Sequence, residues 1–195
     1  SGGGNQDSCT FRVVVSDTTA PAFSRPADTV LYKDISCIAD TSLASVGDVL
    51  DESDDCNIGL EATYRDSVIA GSCQGTYVVK RIWSLIDSSG NAATDQIQTI
   101  TVLDTTAPVF TIPNDTTLYK NSSCIADTSI ASTGDVTDES DNCSTGLQAS
   151  YRDSVIAGSC QGTYTVKRIW SLSDSCGNAA ADQIQTITVL DTTRP

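Results

Sequence analysis

The chain has 195 residues, 11 of them basic and 25 acidic, a formal net charge of −14, and neither histidine nor methionine. That balance argues against nucleic acid and anionic membrane surfaces as partners, since both need basic protein surfaces. The absence of histidine removes Ser-His-Asp, Cys-His and His-metal chemistry at once, and no apolar run approaches the ~20 residues of a membrane helix, so no membrane insertion is expected in this segment.

The chain opens in mid-pattern on "SGGGNQDSC", without a signal peptide, as a segment cut from a longer precursor would. "CTFRVVV" (Cys9–Val15) reads as the closing strand of a preceding repeat, with Phe11, Val13 and Val15 inward. "DTTAP" follows at Asp17, recurs at Asp104 and returns as "DTTRP" at Asp191, an interval of 87 each time (104 minus 17, 191 minus 104). Residues 17–103 align with 104–190 without a gap and with 19 differences in 87 positions. A fixed period of this length matches a small independent domain. The expected organisation is therefore a closing strand over 1–16, repeats over 17–103 and 104–190, and the start of a further linker over 191–195.

Within a repeat the apolar segments are short, alternating and rich in Val, Ile, Thr and Tyr, with Gly, Asp, Asn and Ser between them, which predicts an all-β sandwich. "DTVLYK" (Asp28–Lys33) is an early strand. "LEATYRD" (Leu60–Asp66) points Leu60, Ala62 and Tyr64 inward. "TYVVKRIWSLID" (Thr76–Asp87) is the longest strand, with Tyr77, Val79, Trp83 and Leu85 on one face. That phase also turns Arg81 inward, where a guanidinium needs a carboxylate or several carbonyls. "DSSGN" (Asp87–Asn91) is a turn and "DQIQTITVL" (Asp95–Leu103) closes the repeat.

"GNQDSCTFRVVVSDTTAP" (Gly4–Pro21) carries Gly-Asn, Cys-x-Phe-x-Val-x-Val and Asp-Thr-x-x-Pro, a pattern that resembles the hyalin repeat module, an immunoglobulin-like β-sandwich. The later copies lack the Cys and Phe; with "DESDNC" and "RIWSLSDSCGN" they are similar to the repeat arrays of Bacteroidetes surface adhesins and filaments. The resemblance implies tandem immunoglobulin-like antiparallel β-sandwiches. It also implies a non-catalytic role as an extracellular stalk, adhesin or surface-filament repeat, located outside the cell or on its surface, with neighbouring repeats or copies of itself in a fibre as partners. An adhesive module for a glycan or protein ligand, and accessory repeats of a secreted hydrolase, are the alternatives. Near-identity of the repeats favours the spacer, and 2 Trp, 6 Tyr and 3 Phe in all are few for a sugar-stacking platform.

Eight cysteines without C-x-x-C zinc spacing read as disulfides of an oxidising, extracytoplasmic compartment, with thiolate metal ligation as the alternative. In a seven-stranded sandwich the loops before strands B and F share one end. This pairs Cys37 with Cys73 and Cys124 with Cys160. The loops at the other end pair Cys143 with Cys176. Ser89 stands where Cys176 would align, leaving Cys56 and Cys9 without assigned partners. Pairing Cys56 with Cys73 and Cys143 with Cys160 stays open.

The acidic loops come last. "GDVLDESDDC" supplies Asp51, Glu52 and Asp54, the "DSSGN" turn supplies Asp87 and Asn91, and the linker supplies Asp17. The second repeat offers Asp104, Asp138, Glu139, Asp141, Asp174 and Asn178. Five or six oxygens on loops at one end of a sandwich suit Ca2+, which takes 6–8 oxygen ligands; solvated turns are the alternative. Asn114 and Asn121 head Asn-x-Ser/Thr sequons, as does Asn142. Thr29, Ser67, Thr105, Thr116 and Ser154 each follow an aspartate, a pattern that resembles the O-glycosylation motif of Bacteroidetes secreted proteins, so covalent glycans are a further expectation.

Overall fold

The structure, a computed structural model, describes residues 7–192. In the first repeat β1 (Thr29–Tyr32), α1 (Leu43–Val46), β2 (Thr63–Ala70), β3 (Tyr77–Ser84) and β4 (Gln96–Leu103) follow in order. The second repeats them as β5 (Thr116–Tyr119), α2 (Ile130–Thr133), β6 (Ser150–Ala157), β7 (Tyr164–Ser171) and β8 (Gln183–Leu190). Among the described residues the fold is all-β apart from those two single helical turns. The sheets have the orders β1-β4-β3-β2 and β5-β8-β7-β6.

Not every pairing is antiparallel. β6 and β8 flank β7 antiparallel, with Tyr151 opposite Trp170 and Val166 opposite Ile187, but β5 runs parallel to β8, as β1 does to β4. β1 and β4 are not consecutive in the chain, so no hairpin joins them and parallel pairing is open to them. The opposing layer is irregular. It is tacked by isolated bridges between Ala22 and Ser53 and between Val109 and Ser140.

By contact density the described chain forms two compact units. One lies within Ser1–Asp28, Ser42–Ser67 and Lys80–Thr99; the other within Thr29–Thr41, Val68–Val79 and Ile100–Pro195. The second unit thus holds the whole second repeat together with the segments of the first that carry Cys37 and Cys73.

In the first unit Phe23 and Val49 pack on Trp83 and Leu85, with Leu43, Leu60, Ala62 and Ala93 around them. In the second, Phe110 and Val136 pack on Trp170 and Leu172. The strict alternation of β3 buries Val79, Arg81 and Trp83. Within the two repeats, Tyr64 is the exception among the residues expected inside. It remains 43% exposed, because its ring lies against Trp83 (centroids 5.2 Å apart) and over the Arg81 guanidinium, at the rim of the core.

Arg81, only 2% exposed, donates from Nε and Nη2 to the two oxygens of Asp66 on β2, each at 2.8 Å. That hydrogen-bonded carboxylate outweighs the cost of burial and holds the guanidinium charged. Arg168 repeats the fork with Asp153 and adds Thr133 Oγ1 at 2.7 Å and the Thr128 carbonyl at 2.8 Å. A second polar node is absent from the apolar pattern. Gln98 Nε2 donates to the carbonyls of Ala27 and Val46, while its Oε1 accepts from Trp83 Nε1, and Gln185 does the same beside Trp170.

The segment Cys9–Val15 is not a strand, and Phe11, Val13 and Val15 are 85, 70 and 92% exposed rather than inward. A closing strand exists only on a sheet that offers it a ladder, and no described sheet does; β4 and β8 already close both.

Two outcomes follow from this packing. Asp153→Ala leaves a buried guanidinium without its carboxylate and is expected to cost about 2–4 kcal/mol in chemical denaturation, less than for a wholly buried pair because Asp153 is 31% exposed; Ser154→Ala beside it should change stability by less than ~0.5 kcal/mol. The carboxyls of Asp28, Asp51 and Asp138 are held below the usual range, by the Thr99 amide and by bonds from Ser24 and Thr111 respectively. A depressed folded-state pKa contributes stability above the unfolded value of ~4 that is lost as pH falls through the folded one. With no histidine in the chain, the melting temperature should stay level from about pH 5 to 8 and fall below about pH 4.

Candidate functional site

In the second unit, Cys37 and Cys73 lie on adjoining turns. Cys37 sits in the tight turn after β1, where Asp34 Oδ1 accepts from the amides of Ser36 and Ile38 and forces Cys37 to a φ of 59°. Cys73 is in the β2–β3 turn, closed by Thr76 N–H donating to the Cys73 carbonyl. Against this end come two loops of the second repeat. Asn142 Nδ2 donates to the Asp34 carbonyl at 2.7 Å, Thr145 N–H to Gln74 Oε1 at 2.7 Å, and Gln74 N–H to Ser175 Oγ at 3.0 Å. The four sulfurs then bond across the joint, Cys37 to Cys143 and Cys73 to Cys176.

This corrects the expected Cys37–Cys73, Cys124–Cys160 and Cys143–Cys176 pairs, and the Cys56–Cys73 and Cys143–Cys160 alternative as well. Cys37 and Cys73 do share one end. Each faces out of the sandwich toward a cysteine of the next repeat rather than toward the other. Gly75 makes the approach possible: its φ is +78°, and a Cβ there would stand 2.7 Å from Cys143 Cβ. Cys9, Cys56, Cys124 and Cys160 are free and exposed.

The linker aspartates organise the opposite, leading end of each repeat. Asp17 Oδ1 accepts from Thr19 N–H and Asp104 Oδ1 from Thr106 N–H, the local turns that favour Asp-x-Thr. Asn91 and Asn178 donate both to the linker carbonyl (of Asp17 and Asp104) and to the carboxylate of Asp87 or Asp174. Burial pushes the Asp87 carboxyl up, but the bonds from Asn91, Gly90 and Ser89 prevail and hold it low.

Of the expected metal ligands, the structure gathers Asp17, Asp54 and Asp87, whose nearest oxygens all lie within 4.8 Å of one another. Asp54 Oδ1 is buried without a hydrogen-bond partner, as are Asp104 Oδ2 and Asp141 Oδ1 in the second repeat. Orphaned carboxylate oxygens fit a cation, because leaving them bare is costly. In the second repeat Asp104 and Asp174 come together with Cys176, whose sulfur is committed to a disulfide.

Four residues stand apart: Asp51 and Asp138 accept the amides of Ser24 and Thr111, and Glu52 and Glu139 those of Ala62 and Ala149, so they brace the chain. Crowded by Asp17 first, then by burial and by Asp55 and Asp54, the Cys56 thiol is pushed up.

The aspartates of the Asp-Thr and Asp-Ser pairs have structural partners. Asp28 and Asp115 accept the amides of Thr99 and Thr186, and Asp66 and Asp153 hold the buried arginines. The hydroxyls at issue differ in access: Ser67, Ser154 and Thr105 are exposed, and Thr29 and Thr116 are half-buried. Asn114 and Asn121 are exposed, and Asn121 Oδ1 caps the turn at Ser123 and Ile125.

No family model matches the chain, and no curated protein matches it. Among solved structures it is similar to EC1-2 of human protocadherin-24, at 15% identity and a TM-score of 0.35 over 90% of this chain and 100% of that one. It is also similar to EC1-3 of Drosophila N-cadherin, at 12% identity and a TM-score of 0.25 over 89% and 68%. Among the described residues no helix is long and apolar enough to cross a membrane.

The glycines test the joint. Gly75→Ala and Gly162→Ala both force a side chain into positive φ, at about 1 kcal/mol. Only Gly75→Ala also drives a Cβ into Cys143; at position 162 the neighbours are the flexible ends of Asp191 and Lys120. Gly75→Ala is expected to lower the melting temperature several degrees further than Gly162→Ala and to raise the free-thiol count on oxidation.

Proposed function

We propose that this chain is a non-catalytic structural element of an extracellular stalk, adhesin or surface filament, built from immunoglobulin-like modules over 17–103 and 104–190. The observation that carries the reading is the pair of disulfides from one repeat to the next. Cross-links of this kind resist shear at the point where a string of modules is otherwise weakest, and they belong to an oxidising compartment outside the cytoplasm. The hyalin-repeat resemblance of Gly4–Pro21 agrees with it. The residue types argue in the same direction: charge without histidine, and near-copied loops in place of one specialised cleft.

Calcium completes the reading at the leading end. Asp17, Asp54 and Asp87 would hold the ion through carboxylate oxygens, with Asp54 Oδ1 as the oxygen that otherwise lacks a partner. When bound it would neutralise three charges that now repel. Glycans on Ser67, Ser154, Thr105 or Asn121 would extend the exposed surface without touching the core.

Titration calorimetry of the oxidised chain with Ca2+ tests the ion. Saturable heat is expected, with a rise in melting temperature that follows ligand linkage, and Asp54→Asn should remove both. No heat and an unchanged melting temperature in EDTA would leave the aspartates as turn formers. A glycan and matrix-protein array tests the spacer itself: silence is the expected result, and specific saturable binding would replace the spacer by the adhesive reading.

A further inference from the structure

The far end of the second repeat matches, position for position, the end of the first that holds the two disulfides, with Asn121 for Asp34 and Ser122 for Ile35. Cys124 has the φ of 59° found at Cys37, in a turn capped by Asn121 as Asp34 caps the other. Cys160 sits in a turn closed by Thr163 N–H, as Cys73 does with Thr76. Lys120 lies over Tyr164 as Lys33 lies over Tyr77. Gly162, at φ +82°, keeps the left-handed turn of Gly75, with the flexible ends of Asp191 and Lys120 standing where Cys143 stands beside Gly75. Yet Cys124 and Cys160 are free and exposed. The complementary surface is also on the chain. Cys56 takes the place of Cys143, is exposed, and has its amide held by Asp54 as the Cys143 amide is by Asp141.

We propose that the far end of the second repeat is a covalent docking face for the leading end of a second copy of this chain, closed by a disulfide between Cys124 of one copy and Cys56 of the next. This rests on the structural-repeat reading and extends it from within the chain to between chains. The contact is heterologous, head to tail, so it propagates rather than closing on itself.

Much of the observed joint carries over. Ile58 N–H can donate to Gln161 as Thr145 N–H does to Gln74, and Gln161 N–H can meet Ser88 as Gln74 meets Ser175. Two elements do not carry over: Asp55 replaces the donor Asn142, and Ser89 replaces Cys176, which leaves Cys160 without a mate. A copy-to-copy joint therefore holds one disulfide where the internal joint holds two.

The bond forms by exchange with a low-molecular-weight disulfide. The Cys124 thiolate attacks oxidised glutathione and releases one glutathione thiolate. The Cys56 thiolate of the second copy then attacks the Cys124 sulfur of the mixed disulfide and releases the second. Two protein thiols are oxidised, one glutathione disulfide is reduced, and the two protons lost by the protein thiols are taken up by the two departing glutathione thiolates, giving two glutathione thiols.

The test is oxidation of the full chain in a glutathione buffer, in a Cys9→Ser background, read by non-reducing electrophoresis and peptide mapping. A ladder of oligomers is expected, with Cys124–Cys56 as the intermolecular peptide and Cys160 still free. Cys124→Ser and Cys56→Ser, each at an exposed position, should each abolish the ladder. Ser89→Cys should add a second intermolecular peptide, joining Cys160 to the substituted position, and make the ladder resist reductant at least ten-fold higher. A Cys124–Cys160 bond within one chain, symmetric Cys124–Cys124 or Cys160–Cys160 links, or no oligomer at all would overturn the proposal. The same map reads Cys37–Cys143 and Cys73–Cys176: their presence without a ladder overturns the docking face alone, and their absence overturns the cross-linked joint on which the functional reading stands.

Discussion

The joint depends on where four sulfurs point. Cys37 and Cys73 stand on two turns at the same end of a repeat, and they bond to Cys143 and Cys176 rather than to each other. The turns that aim them are held by short-range chemistry, an Asx cap at Asp34 and a Thr76 closure. A disulfide that closes a chain separation of 106 restricts the unfolded ensemble by about 4–5 kcal/mol in the chain-entropy account, about 1 kcal/mol more than one within a single repeat would. For repeats with small cores and irregular opposing layers that is a large fraction of the whole stability.

Within each repeat the stabilising logic differs. The sheet face that looks inward carries an arginine and a glutamine as well as Trp, Val and Ile. Both polar groups are buried, and their hydrogen bonds tie the sheet to the opposing layer: Gln98 to the carbonyls of Ala27 and Val46, Arg168 to Thr133 and the Thr128 carbonyl. These are bonds of fixed direction, and they set how the irregular layer lies on the regular one where few ladder hydrogen bonds exist to do so.

Much of this was legible in the residues. The period of 87, the alternation through Val79, Arg81, Trp83 and Leu85, and the turn at Asp87–Asn91 all follow from side-chain spacing. Arg81 could be turned inward from that phase, but its partner Asp66 lies on the neighbouring strand, and strand register is not written in composition. Tyr64 misled because alternation does not distinguish the core from its rim. The cysteines misled for a different reason: near-identical repeats place a like cysteine at both candidate distances, so a bond within a repeat and a bond to the next satisfy the same pattern. One signal was available. Cys176 has no counterpart at Ser89, and a cysteine that appears only in the second repeat fits a bond back to the first. The acidic loops split for a similar reason. Asp54 and Asp87 converge on Asp17, whereas Asp51 and Glu52, three and two residues before Asp54, cap backbone amides, and nothing in the run itself separates the two duties.

Stretching a single oxidised molecule by its two ends measures the central claim directly. With Cys37 bonded to Cys143 and Cys73 to Cys176, separations of 106 and 103, roughly 350 Å of chain at about 3.3–3.6 Å per residue should stay locked after both repeats unfold and should appear only when reductant is added. Release of the full contour length without reductant, or locked loops of only about 120 Å each, as bonds within a repeat would give, would contradict a joint held by disulfides between repeats.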